Sequence, residues 1–272
     1  VITGGASGIG FSLGERCVQE GMKVVLADIN ADDLAEAESI LKGMGGTVLT
    51  VRTDVAKRSD MEALAQKTLE VFGAVHLLVN NAGVGAGSTP WEATWNEWEW
   101  VMGVNLWGVI NGVKIFTPIM LSQKVDSYIV NTASGAGLVC YHPFSCYHVT
   151  KHAVVALSEN LYVSLAERNA PVKVSVLCPA FVKTKIATSE RNKPSALQDG
   201  LSVVNPAMQA QNESIELGMP PEEVAHYVFR TMREEQFYIL THPEVKGPTR
   251  DRMEDILEER NPRNPFAASA RP

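Results

Sequence analysis

Tyr147 and Lys151 stand four residues apart in Tyr147-His148-Val149-Thr150-Lys151, a spacing that sets a phenol beside an ammonium on one helix face. A phenol with a pKa of about 10 is a poor base at neutral pH, but a neighbouring cation favours the phenolate. Such a pair can take the proton of an alcohol as its carbinol hydride leaves, or return it to a ketone. The same spacing is common on ordinary helix surfaces, so the pair alone decides nothing. Ser134 changes the balance: in Asn131-Thr132-Ala133-Ser134 it follows an apolar strand, so its hydroxyl lies at a carboxyl strand end and could hold a substrate oxygen beside the phenol.

A second set of residues suits a dinucleotide. The turn Thr3-Gly4-Gly5-Ala6-Ser7-Gly8-Ile9-Gly10 joins a strand to a helix, and its glycines let a pyrophosphate approach the backbone N-H groups at the helix start. A tight structural turn is the plain alternative. Asp28 lies 18 residues beyond Gly10 at the end of the second strand. There a carboxylate can accept hydrogen bonds from the adenosine ribose hydroxyls and repel a 2′-phosphate. Neither Ile29, Asn30 nor Ser7 offers that phosphate a cation, so NAD is favoured over NADP. Asp28 could instead, or as well, cap the helix that starts near Ala31. Asp54, followed by Val55 after the third strand, stands where an adenine amino group could be met, or where it would cap the helix near Arg58.

These residues need a frame that brings them together. Apolar runs at 23–27, 47–52, 77–79, 128–130, 172–177 and 237–240 read as strands, after a first strand whose tail is Val1-Ile2-Thr3; further residues are therefore expected before Val1. Helical patterns fall at 11–20, 31–44, 58–72, 145–168 and 221–234, with one long amphipathic helix over 94–121. The alternation predicts an α/β fold: a three-layer, doubly wound parallel sheet of the Rossmann type with about seven strands, in a single domain over 1–272. Ligands should bind at the carboxyl ends of its strands. The irregular stretch 183–220, with Pro194, Gly200 and Pro206, is where a substrate lid is expected.

The totals narrow the classes. A hydrophobic share of 45% and a net charge of −7 suit a globular enzyme and argue against nucleic acid as a partner. Cys17, Cys140, Cys146 and Cys178 are too sparse for a disulfide scaffold and show no metal-ligand spacing; reduced thiols in a cytoplasmic protein are expected. His142, His148 and His152 have no carboxylate or cysteine partner at ligand spacing, so no metal is expected; His142 could line the substrate cleft. No run of about 20 apolar residues occurs in the sequence, so no membrane partner is expected. The crowd of Trp91, Trp95, Trp98, Trp100 and Trp107 favours packing over an aromatic substrate box. Val139, Phe144 and Phe181 flank motif residues and are candidates for an apolar cleft wall, with core packing equally open.

Thr3-Gly4-x-x-x-Gly8-Ile9-Gly10, Asn80-Asn81-Ala82-Gly83 after the fourth strand, Ser134 and Tyr147-x-x-x-Lys151 together resemble the short-chain dehydrogenases/reductases of standard length, over about residues 1 to 185. The resemblance implies an NAD-dependent oxidoreductase that moves a hydride between nicotinamide and a secondary alcohol or ketone. Tyr147 would be the acid/base, Lys151 would lower its pKa and bind ribose, and Ser134 would position the oxygen. Asn105 would complete a proton relay through a water on its backbone carbonyl; a helix bend or simple packing is its plain alternative. Cofactor contacts would come from Gly4, Ser7, Gly8, Ile9 and Gly10, from Asp28, Ile29, Asp54 and Val55, and from Asn81, Ala82, Gly83 and Thr132. Tyr147, Lys151, Pro179, Val182 and Thr184 would complete them. The family's Pro-Gly after the sixth strand is here Pro179-Ala180, which puts that turn in question.

The family also implies a homodimer or homotetramer, with the helices bearing Asn105 and Tyr147 at the interface. Residues 104–112, the lid and the tail at 238–245 are similar to bacterial Cα-dehydrogenases of lignin-derived aryl ethers, which implies a bulky aromatic alcohol as substrate. An NADPH-dependent carbonyl reductase and a non-catalytic dinucleotide-binding protein remain as alternatives. Asp28 counts against the first, and the presence of both Tyr147 and Lys151 against the second.

Overall fold

The computed structural model describes residues 1–199 and 206–265. Among these residues seven strands form one sheet: β1 (Ile2–Thr3), β2 (Val24–Asp28), β3 (Val48–Arg52), β4 (Leu77–Asn80), β5 (Ser127–Thr132), β6 (Val172–Leu177) and β7 (Tyr238–Ile239). Their order is β3-β2-β1-β4-β5-β6-β7, and every pairing described is parallel. This is the doubly wound sheet expected. The order reverses between β1 and β4, so the carboxyl ends of both halves open onto one crevice there.

Alternation along β2 shows why the sheet is covered twice. Val24 and Leu26 point to one face with Leu13 and Cys17 of α1 (Gly8–Gln19), Leu41 of α2 (Ala31–Gly43) and Val228 of α8 (Pro221–Arg233). Val25 and Ala27 point to the other, with Met61 and Leu64 of α3 (Arg58–Phe72), Phe116 of α5 (Gly108–Gln123) and Leu165 of α6 (Ser145–Ala166). Leu26 and Leu64 are fully buried; each such side chain contributes about 1.5–3 kcal/mol.

Several expected boundaries move. Helix α1 begins at Gly8, inside the glycine turn, because Gly8 adopts φ +53° and lets the chain enter the helix sooner than its apolar pattern suggests. The long helix is not one α-helix: α4 (Trp95–Met102) and α5 are joined by a π-helical turn, Gly103–Trp107, centred on buried Asn105. Helix α5 runs through Pro118 to Gln123 and stops where Lys124 turns left-handed at φ 54°.

Joined, residues 95–123 are long and apolar enough to cross a membrane, contrary to the expectation that no such stretch exists. The stretch serves as a core helix, burying Phe116 and Met120 against α3 and the sheet, and Val109 against Val154, Val155 and Val176. Within 183–220 the chain is more regular than expected: 3-10 turns at Lys185–Asn192 and Ser195–Leu197 precede α7 (Pro206–Glu216), while Gly200 and the rest of 200–205 lie outside the described residues. Strand β7 is shorter than 237–240. It is followed by α9 (Lys246–Leu257), which no sequence pattern announced because only Asp255 on it is buried.

Candidate active site

A cleft of about 870 Å³ opens at the carboxyl strand ends. Apart from Gly10 and Asn105, it is lined by every site residue expected from the sequence. At Gly10 a Cβ would sit 2.1 Å from the Gly4 carbonyl oxygen, so only glycine lets the helix lie this close to the loop. Asn105 is fully buried beside the cleft. Its Oδ1 accepts from Val84 N at 2.8 Å and its Nδ2 donates to Val84 O at 3.0 Å, clamping the loop after β4 to the π turn. Single π turns inside helices often mark functional positions.

The catalytic candidates meet at the start of α6. The Lys151 ammonium donates to Thr132 O at 3.0 Å and lies 5.5 Å from the Tyr147 ring centre. Ser134 Oγ accepts from Ala136 N at 3.1 Å and donates to Pro179 O at 3.3 Å, so the hydroxyl is fixed between β5 and β6. Burial pushes the Tyr147 phenol up to about 12, with the Ser134 hydroxyl pulling it back, and pushes Lys151 down to about 8. The lowering expected from Lys151 acting together with a bound nicotinamide concerns the loaded site; among the protein's own groups burial is the largest influence on the phenol. Loss of water around both groups outweighs their proximity. At neutral pH both therefore carry their protons.

The glycine loop presents free amides. Ser7 precedes α1 without a side-chain cap, so the first-turn N-H groups point toward the cleft as a ready anion cradle. A Cβ on Gly8 would come within 2.9 Å of Thr184 Cγ2, so only glycine lets loop and lid base approach this closely. The Asp28 carboxylate accepts from Ala6 N at 3.2 Å and Asn30 N at 3.1 Å, tying the loop to the end of β2; burial raises its pKa while these amides oppose the rise. Asp28 is not the helix cap, since Asn30 caps α2 through Asp32 N and Asp33 N. Nor does Asp54 cap α3: its Oδ1 accepts from Ala56 N at 3.1 Å and its Oδ2 pairs with Lys57 at 3.4 Å. Asn81 donates to Thr3 O at 3.1 Å, and Thr3 Oγ1 accepts from Asn81 N and Ala82 N, which locks β1 to β4 under the crevice.

Beyond β6, Pro179, Val182 and Thr184 reach the cleft, and Lys183 N and Met219 N bond Met219 O and Phe181 O at 3.0 Å to close the base of the lid segment. Of the residues with cleft wall and core packing both open, Val139 and Phe181 line the cleft and Phe144 does not; nor does His142. Trp100, Met102, Trp107 and Tyr141 add to the wall, so two of the five tryptophans face the cleft. Trp91 and Trp95 are instead 80% and 89% exposed.

Two features went unseen in the sequence. His242, after β7, brackets the Ala180 turn through Ala180 N and Phe181 O; nothing local marks a histidine 62 residues away as its support. Cys140 Sγ lies 3.8 Å from His152 Nε2, which overturns the expectation that these histidines lack a cysteine neighbour.

The short chain dehydrogenase family matches residues 1–195. The CLA biosynthesis dehydrogenase/reductase of Lactiplantibacillus plantarum is 33% identical over 270 residues, spanning 96% of this chain and 93% of its own. The C alpha-dehydrogenase of a Sphingobium species is 32% identical over 259 residues, 94% and 84% of the two chains. The crystal structure of a short chain dehydrogenase/reductase from Burkholderia phymatum, in complex with NAD, is 45% identical and superimposes with a TM-score of 0.96, over 98% of this chain and 96% of that one.

Proposed function

This chain belongs to the short chain dehydrogenase family, and on that premise we propose that it oxidises a secondary alcohol, or reduces the ketone, with NAD and with Tyr147 as acid/base. The observation that carries the proposal is the meeting in one cleft of Ser134, Tyr147 and Lys151 with the glycine loop and Asp28. The cradle fits a dinucleotide: free amides at the start of α1, a loop too tight for a Cβ at Gly8, and a carboxylate at the end of β2. A bound nicotinamide would supply the carbon that exchanges hydride.

The chain's own residues do the rest. Ser134 holds the substrate oxygen, and Tyr147, protonated at neutral pH, gives its proton to a ketone oxygen. In the oxidising direction the Tyr147 oxygen must first lose that proton. Lys151 binds ribose and offers its charge to the phenolate that forms; Asn105 fixes the π turn whose backbone would hold the relay water. Asp28 engages the adenosine ribose and disfavours NADP, with Ile29, Asp54 and Val55 around the adenine end. Asn81, Ala82, Gly83 and Thr132 floor the middle of the cleft, and Pro179, Val182 and Thr184 face the nicotinamide end.

An aromatic substrate is supported by the wall of Trp100, Trp107, Tyr141 and Phe181 and by the similarity to the Sphingobium C alpha-dehydrogenase. The segment from Lys185 to Leu197, with Ile215 of α7, would close over it as a lid. The test is the initial rate of NAD and NADP reduction across benzylic aryl-ether and aliphatic secondary alcohols, with Tyr147→Phe as control. Aryl turnover with NAD, cut by orders of magnitude in the variant while NAD affinity persists, is expected. Equal turnover by the variant would remove Tyr147 from the chemistry.

A further inference from the structure

We propose that Cys140, His148 and His152 form a binding site for a thiophilic divalent cation such as Zn2+ on the outer side of the cleft wall. The histidines are four apart on α6 and so share one face of it, and Cys140 is brought over them by the loop that precedes the helix. One ligand atom from each residue lies within 4.8 Å of the others, and Cys140 Sγ is 3.8 Å from His152 Nε2. Ligands around a tetrahedral zinc, bonded at about 2.0–2.3 Å, stand about 3.5 Å apart, so small side-chain rotations close the site.

The hydrogen bonds on the far sides of the rings give the independent support. His148 Nδ1 lies 2.8 Å from Ala136 O, and His152 Nδ1 lies 3.0 Å from His148 O. A carbonyl only accepts, so each Nδ1 carries the proton and each Nε2 presents its lone pair. That backbone tether is the arrangement that orients metal-binding imidazoles. With the ring proton on Nδ1, neither neutral imidazole needs to expel a proton from Nε2 before binding. Cys140 does, releasing one proton per ion.

The chemistry of the set selects the ion. One sulfur and two imidazoles suit zinc and cobalt, not magnesium or calcium. Three protein ligands leave a fourth position for water, and Cys140 is exposed, which gives the ion its path of entry. Capture has one local cost: His148 Nε2 accepts a long bond, 3.3 Å, from Tyr141 N, and the ion would replace it. Tyr141 lines the cleft and packs edge-on against His148 with ring centres 4.5 Å apart, so an ion held here would bind the 135–144 wall to α6.

The test uses the one exposed cysteine. Cys17, Cys146 and Cys178 are buried, so an aromatic disulfide reagent added to the chelator-treated native chain reads Cys140. One equivalent of Zn2+ is expected to slow that reaction at least tenfold, and His152→Gln, which keeps the thiol, to abolish the protection. Co2+ is expected to give a thiolate charge-transfer band that Cys140→Ser removes. Labelling at the same rate with and without Zn2+, or Co2+ binding unchanged in both variants, would overturn the site.

Discussion

The Nδ1 of His242 stands 3.1 Å from the Ala180 amide nitrogen and its Nε2 stands 3.1 Å from the Phe181 carbonyl oxygen, so one imidazole brackets the turn that follows β6. The carbonyl can only accept, which places the ring proton on Nε2 and leaves Nδ1 as the acceptor for Ala180 and for the Thr241 hydroxyl at 2.8 Å. The turn that departs from the family's Pro-Gly is therefore held from behind by a side chain contributed after the last strand.

His242→Ala should leave the Ala180 amide without its acceptor, at a cost of about 1–3 kcal/mol. Pro179, Val182 and Thr184 sit on or just beyond that turn, so the KM for cofactor should rise several-fold while kcat falls less. His242→Asn, which keeps a donor and an acceptor, should recover part of the loss. Steady-state kinetics and thermal melts check this; an unchanged KM in His242→Ala would show that the turn holds itself.

Lys151 carries a stability signature with a defined sign. Its pKa is about 8 in the folded chain against 10.5 in the unfolded one, so between those values the unfolded state binds the extra proton and stability rises with pH. The penalty for burying the charge is complete below about pH 8 and gone above about 10.5. Lys151→Met should abolish turnover, and its stability relative to the parent should be greatest at pH 7 and decline by pH 10. The lost bond to Thr132 O adds only a pH-independent offset. Tyr147, raised from 10 to about 12, acts above this range, where stability falls as pH rises and the unfolded phenol ionises first. Denaturant titrations at pH 7, 8.5 and 10 give the slope; a difference that does not vary with pH would contradict the burial of Lys151.

Asp28→Ala should raise the ratio of kcat/KM for NADP over NAD by about tenfold or more, since one hydrogen-bonded pair to a charged group is worth about 1.5–3 kcal/mol. It should also loosen the glycine loop through the lost bond to Ala6 N, seen as faster proteolysis or amide exchange near Ser7. An unchanged cofactor ratio would mean that the choice is made elsewhere.

What the sequence made legible was what repeats locally. Continuous apolar runs marked the strands of a sheet covered on both faces, and each strand end then placed Asp28, Asn81 and Ser134 without further information. Tyr147 and Lys151 were legible because helix geometry alone joins them. The π turn around Asn105 was not, since it changes the hydrogen-bond pattern without changing the apolar stripe. The pairing of Cys140 with His152 depends on the path of the loop before α6, and that of His242 with Ala180 on two strands lying side by side. The Tyr147 pKa escaped for a different reason: spacing reports neighbours, while the decisive effect is how much water the fold removes.

The placement of His242 also bears on how the enzyme is made. Synthesis proceeds from the first residue onward, so a ribosome that has delivered the glycine loop, Ser134, Tyr147 and Lys151 has still not delivered the group that props the Ala180 turn. A nascent or prematurely terminated chain ending before β7 would own the candidate catalytic residues yet lack the buttress behind them, which ties the finished pocket to complete translation.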